Sequence, residues 1–493
     1  VFVSPKEAGQ VKINGFLVTP GQPYTLTQNS TVCVVATANN AFEFSQWSGD
    51  LTSDESTELI VMSCDKTITA HYIQVEPIEI TSIYFPHVAC ADGWETRLCL
   101  INRNATSLSG IFHAYNDQGE LLDSSSRLTL AANGRIQIRV SYSFAQADQI
   151  GYIIFAAETD TAQGIVGCEK FYIDGKYRVA VPLVTRINQG DIFISHIATD
   201  DNWWTGVSLL NTTEKSKKLT FAFDNGETRN VTLASKEHRA IDMATLLQRS
   251  AVGTPAHSAV IRGAAGIVGL ELFSQGDQLS GILIKDQTAT EIYYPHVAVD
   301  DGWWTGVVAY NSVSESGKLT FTAYSVDGTV LGDKTDVIIP GHSQYVGSVA
   351  ELDFPAGTAW FKVKSDQPIV GFELFGTANG AQLAGYSGAA ISGVEGILPK
   401  LESHGYTGIA MVNVTNRTAS VTLTAYKNDG TVVATESVFL DGYAKIVDEV
   451  QNLFRDDISR ATYISYKSNR ELVAFQINGA SDNMMLDALP ALR

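Results

Sequence analysis

Methionine and cysteine are scarce in this chain, five of each among 493 residues, and basic groups are outnumbered, 34 Lys and Arg against 53 Asp and Glu. The formal charge of −19 repels polyanions, and no long basic run offsets it, so nucleic acid and anionic membrane surfaces are disfavoured as partners. No stretch reaches the roughly 18 uninterrupted apolar residues that a spanning helix needs. Cys-x-x-Cys is missing, which excludes a zinc ribbon. Gly-x-Ser-x-Gly, His-Glu-x-x-His and the phosphate loop are missing too; the Gly-Ala-Ala-Gly at 263–266 sits in a strand connection, not ahead of a helix. The sequence therefore predicts no enzyme and no cofactor. With 45% hydrophobic and 18% charged residues the chain is folded, not disordered. Low lysine, abundant Ser, Thr, Gly and Asn, and an acidic balance fit a secreted or cell-surface protein. A start at Val1, without methionine or leader, fits a removed signal or a trimmed chain.

What is present is repetition. Tyr-Pro-His-Val-Ala-Val-Asp-Asp-Gly-Trp-Trp-Thr-Gly-Val runs from Tyr294 to Val307, with near-copies beginning at Phe85 and Ile194 and a worn copy at Leu398. The threonines of this phrase, Thr96, Thr205, Thr305 and Thr407, lie 109, 100 and 102 residues apart. Such a period is too long for one solenoid layer, so each unit should carry its own core. The domains read as 1–76, 77–185, 186–289, 290–391 and 392–493.

Within the third repeat eight strands are expected: 292–299, 304–310, 318–324, 330–339, 342–346, 358–364, 368–375 and 382–386. Asp-Gly hairpin turns mark the same place in each unit, at Asp117-Gln118-Gly119, Asp224-Asn225-Gly226, Asp327-Gly328 and Asp429-Gly430. About one helical segment per unit is predicted, best formed at Ile446, Val447, Val450, Leu453 and Phe454, with Ile241, Ala244 and Leu247 in the second. The fold class is all-β, a tandem array of β-sandwich domains; paired propeller blades in a ring are the rival. The strand-and-turn rhythm is similar to immunoglobulin-like modules of exported bacterial proteins. Short joints between units predict a semi-rigid rod or arc.

Residues 1 to about 75 alternate short strands with turns. The strand Val32–Ala38, Phe42-Glu43-Phe44, Trp47-Ser48-Gly49-Asp50 and the run from Met62 to Tyr72 resemble the divergent internalin B-repeat, a β-rich module of bacterial surface proteins. The resemblance covers about 15% of the chain and implies a non-catalytic spacer or adhesion module on an exported polypeptide. Trp47 should anchor its small core. Cys33 and Cys64, foreign to that module, are a candidate bridge. Cys90 and Cys99 replace two apolar positions, Val299 and Val308 of the third repeat, and are expected to pair; Cys168 is expected to be a buried free thiol.

Three constellations could carry chemistry. His87, His196 and His296 recur with Glu169, Glu271 and Glu373, and both members change in the fourth repeat, to Lys400 and Gln476. A structural hydrogen bond between the two side chains is the expected reason; two ligands per unit are too few for zinc. Asp200, Asp201, Asp300 and Asp301 are hard-oxygen candidates for calcium, with a polar turn as the plainer account. Trp203-Trp204 and Trp303-Trp304 cannot both enter one core, so one of each pair should face a neighbouring domain or a ligand.

The function expected is a non-enzymatic bacterial surface or extracellular scaffold that contacts other extracellular proteins. Alternatives are a carbohydrate-binding array gripping glycans with Trp204 and Trp304, an enzyme's accessory region, and a self-assembling fibre subunit.

Overall fold

The computed structural model describes residues 1–39, 42–74, 80–199, 203–247, 255–299 and 302–493. It divides into two units, Val1–Glu79 and Ile80–Arg493.

The first unit pairs a three-stranded sheet (Phe2–Ser4, Ile68–Gln74, Phe42–Gly49) with a four-stranded one (Phe16–Leu17, Gly9–Ile13, Thr31–Ala38, Thr57–Val61). Alternation in Thr31–Ala38 sends Val32, Val34 and Ala36 inward, where they meet Trp47. Trp47 is fully buried, and its indole N–H donates to the carbonyl of Glu55 at 3.0 Å. A domain this small depends on such an anchor.

In the second unit the first repeat is a two-sheet sandwich. One sheet holds Leu121–Ser124, Leu108–Tyr115, Tyr152–Glu158 and Ile80–Phe85; the other holds Arg135–Arg139, Glu95–Asn102, Ile165–Ile173 and Tyr177–Pro182. The second repeat repeats this layout, its inner sheet ordered His238–Asp242, Trp203–Asn211, Ile267–Gln275, Gln278–Leu283. In the third and fourth, two strands expected separately run on as one of 18 residues, Trp360–Thr377 and Tyr463–Ala480, which crosses from one sheet to the other and joins them. The fold is all-β in tandem sandwiches.

Two repeated polar residues fasten each sandwich internally. The hydroxyls of Thr96, Thr205 and Thr305 each accept from, and donate to, the main chain of an alanine seven residues back, at 2.8–2.9 Å. Asn102, Asn211, Asn311 and Asn413 are fully buried, each donating its amide to carbonyls of two neighbouring loops. Buried polar groups in a sandwich survive only when paired like this.

The central strands of the inner sheets are buried on both faces. Leu98 and Leu100 enter the first repeat's own core, while Cys99 and Ile101 pack on residues of the fourth repeat. The edge strands Tyr177–Pro182, Gln278–Leu283, Leu383–Ser387 and Leu486–Pro490 meet around a common axis, each beside the next and the last beside the first. Approach there is close enough to demand small residues: a Cβ on Gly281 would stand 2.9 Å from Val179, and one on Gly385 3.0 Å from Ser280. The four repeats therefore close into a ring, which replaces the expected rod or arc. Short joints were compatible with either; the second buried face of each inner sheet decides, because an open array would leave the outer faces of its first and last repeats in water.

The helical expectation also changes. Ile446 and Val447 lie on the strand Lys445–Glu449, and only Val450–Leu453 coils, as a 3₁₀ turn. The second repeat has one helical turn, Met243–Leu247, which includes Ala244 and Leu247, while Ile241 is on a strand.

Candidate functional site

The residues singled out by repetition gather at the seams between repeats. Trp94 and Trp204 share an apolar cluster between the first and second repeats. Trp203 and Trp304 meet edge to face between the second and third, ring centroids 6.3 Å apart. Trp303 and Tyr406 share the cluster between the third and fourth. The first aromatic of each pair thus points forward around the ring, and the second points back. Trp304 lies across Gly376 and Tyr406 across Gly479, glycines opposite them on the paired strand, where any Cβ would collide with the ring. Trp204 is further held by its indole N–H donating to Asp242 at 2.5 Å.

The fourth seam breaks this rule. Gly405 and Glu95 occupy the positions that hold aromatics elsewhere, Glu95 paired with Arg139 at 2.7 Å. Beside them lies a buried ionic cluster. Arg178 of the first repeat binds both Glu402 and Asp487 of the fourth, and Lys400 approaches the same carboxylates at 2.7 and 3.2 Å. The cations Arg178 and Lys400 hold Glu402 down to about 2 and Asp487 well below the usual carboxylate range despite burial. Loss of hydration, followed by the charges of Lys400 and Arg178, lowers Lys170 to about 6. Where the other seams hold facing aromatic rings, the ring's ends add this ionic cluster to the apolar contacts of Cys99 and Ile101.

The recurrent histidines cross seams as well. His296 meets Lys445 of the next repeat, Nδ1 to Nζ 2.6 Å, and His196 meets Gln344 at 3.2 Å. His87 lies 3.2 Å from His238, and burial, followed by that second imidazole, lowers it to about 3. The expected side-chain pair of His with Glu is not what forms. Glu169, Glu271 and Glu373 are completely buried; the carboxyl oxygens of the first two meet no hydrogen-bond partner among the described residues, and Glu373 accepts from the Tyr386 hydroxyl at 2.9 Å. Burial raises all three far above the ordinary carboxylate range. In the fourth repeat Gln476 grips the main chain of Lys400 with a neutral amide.

One constellation escaped the sequence reading. Asp117 Oδ1 is 2.7 Å from His238 Nδ1, and His238 Nε2 is 2.7 Å from Ser208 Oγ. Acid, base and hydroxyl stand in the order of a hydrolase triad, contributed by two repeats. Ser208 is only 1% exposed, however, and lines neither main cavity. A nucleophile needs room beside it for a carbonyl, so the geometry here ties the Asp117 turn to the next repeat. The same turn-to-strand joint recurs where Val326 accepts from the Lys445 N–H and Asn428 from that of Arg135, both at 2.9 Å or less. The sequence signal was present: Ser208 interrupts a position held by Val308 and Ala410 in later repeats.

The expected bridges do not form; all five cysteines are free thiols. Cys90 packs against the first repeat's core, while Cys99, on the opposite face of its strand, looks into the fourth seam. Its strand partner is Cys168, buried as expected. Cys33 sits on a strand and Cys64 is exposed in a loop. Asp200, Asp201, Asp300 and Asp301, the calcium candidates, lie outside the described residues, and among the described residues no group of three or more His, Cys, Asp or Glu could hold a metal.

Comparison with known proteins identifies the first unit. Residues 2–76 match the divergent InlB B-repeat domain family. No curated protein matches the chain. Among solved structures, the Bacteroides ovatus mixed-linkage glucan utilization locus SGBP-B, in complex with a mixed-linkage heptasaccharide, is similar over 76% of this chain and 90% of its own, at 12% identity and a TM-score of 0.12. A glycoside hydrolase family 32 protein from Bifidobacterium adolescentis is similar over 84% and 95%, at 8% identity and a TM-score of 0.14. Likeness at that level bears on neither fold nor ligand. The chain thus carries a surface-protein B-repeat ahead of four β-sandwiches, and among the described residues no helix is long and apolar enough to cross a membrane.

Proposed function

We propose that this chain is a non-enzymatic bacterial surface or extracellular protein, a rigid platform that presents its outer loops and B-repeat module to other extracellular molecules. One observation carries the reading: of the polar residues that recur with the repeat, Thr and Asn hold main chain, His meets the neighbouring repeat, and Glu is completely buried. An enzyme would keep at least one such group aimed into an open cleft. The B-repeat match supports an exported location. Rigidity comes from closing the ring, since every sandwich then has two neighbours to restrain it.

The test has two arms. Protease treatment of intact producing cells should remove the protein, and the purified chain should turn over no ester, peptide or glycoside substrate. Protection inside the cell, or steady hydrolysis abolished by a single substitution, overturns the proposal. Saturable glycan binding that quenches tryptophan emission would favour the carbohydrate array instead.

A further inference from the structure

We propose that the cavity where the three inter-repeat connectors meet the segment after Leu486–Pro490, at one end of the ring axis, is a binding site for a small organic monoanion, a carboxylate with an apolar body, whose counter-ion is Lys285.

The cavity is half-open, with a volume of about 690 Å³, within the range of small-molecule sites. Its floor is the edge strands around the axis, and its walls are the segments after them, including Val184, Ile284, Ala389 and Leu492. Although the chain is strongly acidic, the charged side chains lining this space are all basic: Arg186, Lys285 and Arg493. Two are already engaged. Arg186 is paired with Asp286 at 2.5 Å, and Arg493 donates to the carbonyls of Ile391 and Leu472, both at 2.9 Å. Asp286 is itself committed, accepting also from the N–H groups of Gln189 and Gly190. Lys285 has no ion pair among the described residues. Its side chain is exposed at the cavity wall.

The second repeat departs from its siblings at this point. In the other three, an apolar residue bonds back to the opening strand through both main-chain groups: Val184 with Tyr84, Ala389 with Tyr293, Leu492 with Ile397. Lys285 stands in that position opposite Phe193, and this pair of bonds is not made. An apolar, closed wall has become a cationic, open one. Val268, Ile284, Phe193 and Ile369 would cover the apolar body of a ligand whose anionic end meets Lys285. A charge-assisted hydrogen bond between an ammonium and a carboxylate is stronger than a neutral one.

The probe is 8-anilinonaphthalene-1-sulfonate, an aromatic monoanion, titrated into the full chain. Saturable fluorescence with one site per chain is expected, weakened at least about tenfold by Lys285→Met and retained by Lys285→Arg. Octanoate should displace the dye, and octanol, equal in length but neutral, should not. Near-ultraviolet circular dichroism identifies any variant that has lost its fold, and Lys285→Arg then carries the comparison. Non-saturable binding, affinity indifferent to Lys285→Met, or equal displacement by octanol overturns the proposal.

Discussion

Gln476 holds the main chain of Lys400 at both ends of its amide, Nε2 donating to the carbonyl at 2.8 Å and Oε1 accepting from the N–H at 3.4 Å. The glutamates at the matching place in the other repeats, Glu169, Glu271 and Glu373, are as deeply buried but make no such grip among the described residues. Their folded-state pKa values are raised by burial, so their contribution to stability is complete below the unfolded carboxylate value and is lost as pH rises through the folded one. Glu271→Gln should therefore gain stability over the parent by about 1.4 kcal/mol per pH unit above the unfolded value, until Glu271 ionises. Urea unfolding at a series of pH values measures this. A difference that does not change with pH would mean the acid is ionised already.

The ionic seam responds to acid in the opposite sense. Glu402 and Asp487 are depressed by Arg178 and Lys400, so what they add is present above the unfolded carboxylate value and disappears as pH falls toward about 2. Removing one partner leaves the others buried without compensation, so Arg178→Ala should cost about 3–5 kcal/mol. Hydrogen exchange should rise in Tyr177–Pro182 and Leu486–Pro490 before it rises in Gln278–Leu283. Uniform exchange across all four edge strands would argue against a local seam.

Trp304 touches Trp203 across a seam and covers Gly376 within its own sheet. Trp304→Ala should cost about 2–4 kcal/mol, and Trp203→Ala in the same background should add less than it does alone. Calorimetry on the two single variants and the double variant gives the coupling; full additivity would show that the rings do not support each other.

Ser208 has its hydrogen-bond chain but no room for a substrate. A fluorophosphonate should leave it unlabelled in the native protein, and Ser208→Ala should cost only about 1–2 kcal/mol, the loss of buried hydrogen bonds. Stoichiometric labelling at Ser208 would expose a cleft that the structure does not contain.

Much of this architecture is legible in the sequence, and the parts that are not share a cause. The repeat, the sandwich and Trp47 follow from period, alternation and turn chemistry, all of which are local. Ring closure is not local, yet it left a mark. Leu98-Cys99-Leu100-Ile101 and Ile409-Ala410-Met411-Val412 are unbroken where a sandwich strand with one wet face would alternate, and such runs denote a strand covered on both sides. The loss of aromatics at Glu95 and Gly405, the outward positions of the first and last repeats, marks the two ends that meet. The His and Glu co-variation was visible, but its geometry was not, because spacing does not show that each histidine reaches across a seam while each glutamate stays buried within its own repeat. The cysteine positions misled because spacing cannot say which face of a strand a thiol occupies; Cys99 faces the neighbour and Cys90 the core.

Closure itself is tested most directly between Arg103 and Glu395, which form an ion pair of 2.6 Å across the fourth seam although 292 residues separate them. In the Arg103→Lys variant, a zero-length carbodiimide should join position 103 to Glu395 by an amide, found by mass spectrometry in the monomer fraction. A link confined to dimers, or none at a reagent level that joins Lys362 to Glu291, 3.3 Å apart within the third repeat, would show that the repeats form an open array.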